Sequence, residues 1–198
     1  MTILQAIHAG TIPQRLTVDQ VYDLTAAGVF AEDDNFELID GEIVPMAAAK
    51  ADWHELMKSR LTRAFARALP DDLRLFVAPS VTLSPVRLLE PDLAIWAVGG
   101  LPRQVRGPDL VLVIEVADSS LGYDLRVKAP LYAEHGVRDY WVVDAVRQTI
   151  RVHRAPVDGI YTDVEEFEAD QPISRSADQP ISRSAGGRVA RRRDDPIE

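Results

Sequence analysis

Glu115 stands where a carboxylate is costly. It lies within "DLVLVIEVADSS" (109–120), where Leu110 to Ala117 reads as a buried β-strand rich in Val and Ile. A buried, unpaired carboxylate costs several kcal/mol or takes up a proton. Such a residue is either neutralised by a partner or holds something positive. Asp92 follows Pro91 at the start of the preceding strand candidate. Pairing of the two strands can set both carboxylates side by side at one end of a sheet. At low dielectric they repel each other, and a hard divalent cation removes the conflict. Mg²⁺ suits this, since it takes oxygen ligands, one or two carboxylates among them, and keeps several waters. Lys128 comes later, on a helix candidate, four residues after Asp124 and on the same helix face. An ammonium beside such a site could orient or deprotonate an attacking water, or stabilise developing negative charge. Two carboxylates, a metal and a lysine together suit phosphodiester hydrolysis.

Each residue also has a plainer reading. Asp92 alone is more often a turn residue. Asp124 with Lys128 is most simply an exposed helix pair, worth ~0.3–0.5 kcal/mol. Glu115 is harder to dismiss, because a strongly buried carboxylate usually has a partner or a function.

The elements that must position these residues follow from pattern. "LTVDQVYDLTAAG" (16–28) reads as a helix with Thr17 as N-cap and Gly28 as stop. "FELIDGEIVPM" (36–46) reads as a hairpin turning at Asp40-Gly41. "ADWHELMKSRLTRAFARAL" (51–69) is the clearest helix, with Asp52 as expected N-cap and Arg60, Arg63 and Arg67 on its other side. Strands are expected at 73–84, 91–98 and 109–117, the last two separated by a basic loop carrying Arg103 and Arg106. A helix over 122–136 is expected to be capped by Asp124 and kinked or restarted at Pro130. "DYWVVD" (139–144) is a buried strand, and "TIRVHRA" with "GIYTDVEEFEA" a peripheral hairpin. The order predicts an α/β (α+β) domain, a mixed sheet with helices packed against it.

The totals bound the answer. The 198 residues suggest one domain over 15–168, preceded by a flexible segment, 1–14. Residues 169–198 carry "ADQPISRS" twice in succession, then an arginine run at 191–193. This polar segment has little to bury and is expected to be disordered. Cysteine is absent, which removes disulfides, thiolate zinc sites and cysteine nucleophiles and fits a cytoplasmic protein. No secretory signal is expected from the N-terminal residues, and no run approaches the ~20 apolar residues of a membrane helix. The net charge of −9 argues against a general nucleic-acid coat protein. It leaves open an enzyme whose acids gather round a metal ion.

The segment "EPDLAIW…PDLVLVIEVADSSLGYDLRVKAPLYAEHGVRDYWVVD", with "FELIDGEIV" and "WHELMKSRL" upstream, closely resembles the Uma-type putative restriction endonuclease family of the PD-(D/E)XK nuclease superfamily. The resemblance implies a restriction-endonuclease-like αβββαβ core and Mg²⁺-dependent cleavage of nucleic acid, with Mn²⁺ as substitute. By it, Asp92 and Glu115 match the metal-binding acids, and the backbone carbonyl of Val116 would be a further ligand. In the wider superfamily the lysine stands two residues after the strand Glu, where this chain has Ala117. In the Uma-type family it has moved to the following helix, which points to Lys128. Glu37 and His54 match family-like positions, from the hairpin and the long helix. His54 reads equally as a half-buried core residue. Asp124 would support Lys128, while Tyr132 and Trp141 are assigned to packing.

The first hypothesis is therefore a metal-dependent endonuclease acting on nucleic acid, DNA foremost; the resemblance alone implies a homodimer. Arg60, Arg63, Arg67, Arg103 and Arg106 are its candidate phosphate contacts, although such residues are more often simply solvated. The second is a non-catalytic nucleic-acid- or protein-binding module on the same fold. The third is a metal-independent hydrolase using the carboxylates as an acid/base pair, which leaves Lys128 without a role.

Overall fold

A computed structural model of the chain describes residues 7, 9–10, 12–30, 34–46, 51–168, 171 and 173. The duplicated octapeptide and the arginine run otherwise lie outside the described residues, as does most of the segment before residue 12. Ile12, placed by its sequence position in the flexible segment, is buried with Leu16, Val21, Phe30 and Leu38.

Helix α1 (Val18–Ala26) begins as expected. The Thr17 hydroxyl accepts from Gln20 N–H, and the Gln20 side chain accepts from Thr17 N–H, which satisfies two otherwise orphaned donors. Strands β1 (Phe36–Ile39) and β2 (Glu42–Pro45) form the expected hairpin. Asp40 and Gly41 both have positive φ, 52° and 83°, as a two-residue turn of this kind requires. Helix α2 (Asp52–Ala68) is capped by Ala51 and not by Asp52, without a side-chain capping bond.

The expected strand over 73–84 is two strands. β3 (Leu73–Val77) and β4 (Val81–Ser84) belong to different sheets. Ala78 breaks the run at φ 47°, and Pro79 follows it. β4 then pairs with β5 (Arg87–Leu89), a three-residue strand too short to show a periodic pattern. β6 (Leu93–Ala97), β7 (Leu110–Ala117), β8 (Asp139–Asp144), β9 (Thr149–Val157) and β10 (Ile160–Glu168) complete the set. The large sheet runs β10-β9-β8-β7-β6-β3, and the small one β2-β1-β5-β4. Among the described residues only β7 and β8 pair in parallel, so the large sheet is mixed. The series α2, β3, β6, β7, helix, β8 is the αβββαβ core, with β4 and β5 inserted.

The β7–β8 crossover carries the helical segment. α3 (Leu121–Tyr123) runs into a π-helical turn, Asp124–Lys128, and then into α4 (Ala129–Glu134). Asp124 therefore does not cap the helix but sits within it. The cause lies in Pro130: it has no N–H for the carbonyl four residues back. The turn widens, and the Ala129 N–H bonds the Asp124 carbonyl. Widened turns of this sort recur at functional sites.

Two cores flank β7. Val113 and Ala117 face α4 with Ala129, Tyr132 and Ala133; Leu112, Ile114 and Val116 face α2 with Met57, Leu61 and Phe65. Period-two alternation thus puts Glu115 on the α4 face. Gly107, in a 3₁₀ turn before β7, touches the end of α4: a Cβ there would lie 2.0 Å from the His135 carbonyl oxygen. Gly107→Ala is expected to cost about 2–3 kcal/mol, since backbone and not a flexible side chain must yield. A fall in urea midpoint at unchanged m-value measures it.

Candidate active site

The site lies where β6 begins, β7 ends, and the β1–β2 hairpin meets the N-terminus of α2. Glu37, His54, Asp92, Glu115, Val116, Asp124 and Lys128 all line one cleft of about 340 Å³. Glu37, Asp92, Glu115, Asp124 and Lys128 are all at most 6 % exposed. Asp124 and Lys128 are therefore not the exposed helix pair that spacing alone suggests.

Lys128 is the hub. Its Nζ lies 2.9 Å from Glu37 Oε1, 3.0 Å from Glu115 Oε1 and 3.9 Å from Asp124 Oδ1. Glu37 is held in turn by the Glu90 N–H at 3.2 Å, and Asp124 by the Ser120 hydroxyl at 2.6 Å. Tyr132, expected only to pack, donates its hydroxyl to Glu115 Oε1 at 3.2 Å. Tyr140 donates to the Asp124 carbonyl at 3.1 Å, which fixes the widened turn. Trp141 does pack, 5.9 Å from the Phe65 ring.

Asp92 anchors the other side. Its Oδ2 accepts from the Val116 N–H at 2.9 Å and lies 3.1 Å from His54 Nε2. His54 Nδ1 lies 3.1 Å from Glu55 Oε1, a half-exposed carboxylate. His54 is both buried and in contact with Asp92, so its two readings converge. Lys58, one turn after His54, brings its ammonium to 4.0 Å from Asp92 Oδ1. That contact was readable as an i,i+4 relation to His54 but carried no motif. Tyr132 and Ser120 were likewise hidden, because an aromatic on a helix and a serine in a loop signal packing and capping first.

The electrostatics follow from burial. Glu115 is pushed up to about 8, chiefly by desolvation; Lys128 pulls against this, while Asp124, Asp92 and Glu37 add to it. Asp124 is raised for the same leading reason. Burial works to lower Lys128, but Glu115, Glu37 and Asp124 more than offset it and hold it as an ammonium. Lys128 is thus a poor candidate to deprotonate water and a good one to donate hydrogen bonds.

The candidate phosphate contacts are not gathered here. Arg60, Arg63 and Arg67 are exposed on α2, and none lines the cleft. Arg103 stacks on the Tyr22 ring at 3.7 Å in a separate groove beside α1. Arg106 spends its guanidinium on the carbonyls of Arg103 and Val105. Among the described residues no three Asp, Glu or His side chains form a ready-made metal cage; the oxygen donors that line the cleft include the separate carboxyl groups of Glu37, Asp92, Glu115 and Asp124 and neighbouring backbone.

Residues 18–185 match the family described as "Uma2: Putative restriction endonuclease". The chain belongs to the Uma2 family. The Uma2 match runs past β10 into the duplicated octapeptide. The fold is similar to that of a crystal structure described as "a putative nuclease belonging to DUF820" from Anabaena variabilis ATCC 29413, at a TM-score of 0.63. Identity to it is 16 %, over 81 % of this chain and 89 % of that one, so the likeness concerns architecture. No curated protein matches the chain. Among the described residues no helix is long and apolar enough to cross a membrane.

Proposed function

We propose that this Uma2 protein is a Mg²⁺-dependent endonuclease that hydrolyses phosphodiester bonds of nucleic acid, DNA foremost, in the cleft where Asp92, Glu115 and Lys128 meet. One observation carries the reading: the buried carboxyl groups of Glu37, Glu115 and Asp124 share a single buried ammonium, Lys128, and a fourth buried carboxyl group, Asp92, lines the same cleft. Such a cluster has capacity for more positive charge, and its donors are the hard oxygens that Mg²⁺ or Mn²⁺ prefers. Asp92 and Glu115, with the Val116 carbonyl, are the groups we assign to the ion. When bound, the ion supplies Lewis-acid charge to a phosphoryl oxygen and to the attacking water.

The chain's own residues do the rest. The Val116 N–H and His54 fix the Asp92 carboxylate. Lys128, kept protonated, donates to the attacking water or to the charge growing on the phosphoryl oxygens. Glu37 and Asp124 hold that ammonium in place. His54 connects Asp92 to Glu55 and so to solvent. With the reading goes a cytoplasmic homodimer, which light scattering at twice the chain mass would support and a monomer mass would exclude.

The test is cleavage of supercoiled plasmid and of single-stranded DNA by folded protein in Mg²⁺, Mn²⁺ or EDTA. Ion-dependent nicking lost in EDTA is expected. Failure to cut either DNA with either ion would favour a binding module on the same fold. Cutting that persists in EDTA would favour the metal-independent hydrolase.

A further inference from the structure

We infer that the cleft selects an unpaired nucleotide, so that the preferred substrate is a single-stranded or frayed segment and not intact duplex. This rests on the nuclease reading above and narrows it.

Size and depth come first. The cleft of about 340 Å³ is at the small end of pockets that take one small molecule, roughly 300–1,000 Å³. Asp92, Glu115 and Lys128 are 5 %, 4 % and 6 % exposed. The bond to be cut must therefore come down into the cleft. In a duplex each sugar-phosphate is tied to a stacked, paired base. Enzymes that bring a base to depth take single strands or pay to unstack and unpair it, and a sugar-phosphate drawn into this cleft carries its base with it.

The lining fits such a nucleotide. Val44, Pro45 and Met46 of the hairpin and the half-buried Tyr123 line the same cleft as the acids. Glu37 and Val44 are register partners across β1 and β2, so one face of the hairpin offers both a carboxylate and an apolar wall. A phosphate held at the acids leaves its sugar and base beside that wall, and to Tyr123, which lines the same cleft, we assign the stacking contact.

The charge balance points the same way. Duplex DNA carries one charge per ~1.7 Å, and proteins that grip it neutralise several phosphates with Lys and Arg. Lys128 is the one lysine or arginine among the described residues that line the cleft, and carboxylates surround it. The chain's net charge is −9. Base stacking on an aromatic ring needs no such neutralisation and tolerates any sequence.

The experiment compares one short fluorescein-labelled DNA oligonucleotide, single-stranded and annealed to its complement. Binding is read by anisotropy in Ca²⁺ and cleavage in Mg²⁺, for wild type, Tyr123→Phe, Tyr123→Leu and Tyr123→Ala. The single strand is expected to be bound and cut at least about tenfold better than the duplex. Tyr123→Phe keeps that ratio. Tyr123→Leu and Tyr123→Ala reduce it about tenfold, while a merely structural role for Tyr123 would weaken both strands alike. Affinity for the single strand is expected to fall only shallowly with salt. Cleavage of duplex as good as that of single strand overturns this inference and leaves the nuclease reading intact, as does a strand ratio unchanged in a folded Tyr123→Leu. Cleavage of neither form, with binding of neither, removes both.

Discussion

Lys128→Ala is expected to lower stability by about 3–5 kcal/mol at neutral pH and to abolish cleavage. The variant removes the ammonium that faces Glu37 at 2.9 Å, Glu115 at 3.0 Å and Asp124 at 3.9 Å. The carboxyl groups left behind are buried and lose their common partner. Removing one member of a buried charge cluster costs more than the cluster itself contributes, because the remainder must be neutralised or wetted. The deficit should shrink in acid. Burial already raises Glu115 and Asp124 against the pull of Lys128, so without it the folded state holds protons on these two to a higher pH than the unfolded chain does. Stability then falls as pH rises above the ordinary carboxylate range and recovers below it. Urea denaturation of wild type and variant at acid and neutral pH measures this. An unchanged midpoint at neutral pH would mean that the cluster is hydrated and that Lys128 does not hold it together.

Glu115→Gln separates chemistry from folding in the opposite way. Cleavage is expected to drop by about 10³-fold or more, because the variant loses a carboxylate assigned to the ion. Stability is expected to hold or rise. Burial raises Glu115 to about 8, with Asp124, Asp92 and Glu37 adding and Lys128 opposing. A carboxyl whose folded value lies above its unfolded one binds more protons when folded. Its contribution therefore declines as pH rises from the ordinary range through about 8. For one proton that slope cannot exceed about 1.4 kcal/mol per pH unit. Glutamine carries no such dependence, so the melting temperature of the variant should gain on wild type as pH rises, in EDTA throughout. A variant less stable than wild type at every pH would show that ionised Glu115 supports the fold.

Much of the site was legible because its residues break a local pattern. A Glu in the run of Val and Ile from 110 to 117 has no reason in packing, and the strand alternation that makes it conspicuous also aims it at α4. Asp92 and Lys128 stood out only as a set with Glu115, since a Pro-Asp pair and an i,i+4 pair are each common in ordinary turns and helices. The split of the 73–84 strand was not legible: "LRLFVAPSVTLS" reads as one largely apolar run marked only by Pro79, and the break depends on a positive φ at Ala78. Nor was the widened turn, although Pro130 marked where the helix had to yield. Tyr132 shows a different difficulty. Its ring is core, as its spacing says, but its hydroxyl reaches Glu115, and sequence periodicity assigns whole side chains to faces, not single atoms. The arginines stand apart from the cleft for the reverse reason. Charge identifies a residue that prefers water; where that residue stands relative to a cleft is set by tertiary packing.

A lysine two positions along the same strand as its glutamate would be tied to it by the backbone, at a spacing no neighbour could alter. Here the pair bridges two layers, Glu115 in the sheet and Lys128 in the helical crossover. Their 3.0 Å contact is therefore an interlayer gap, set by what is wedged between: Ala129 and Ala133 allow close approach, and Tyr132 and Tyr140 prop it from behind, 4.8 Å apart at their ring centroids. Dense interiors transmit small changes of volume instead of absorbing them. Residues that line no part of the cleft thus calibrate the distance on which the proposed chemistry depends, and the boundary between scaffold and proposed reagent runs through single side chains.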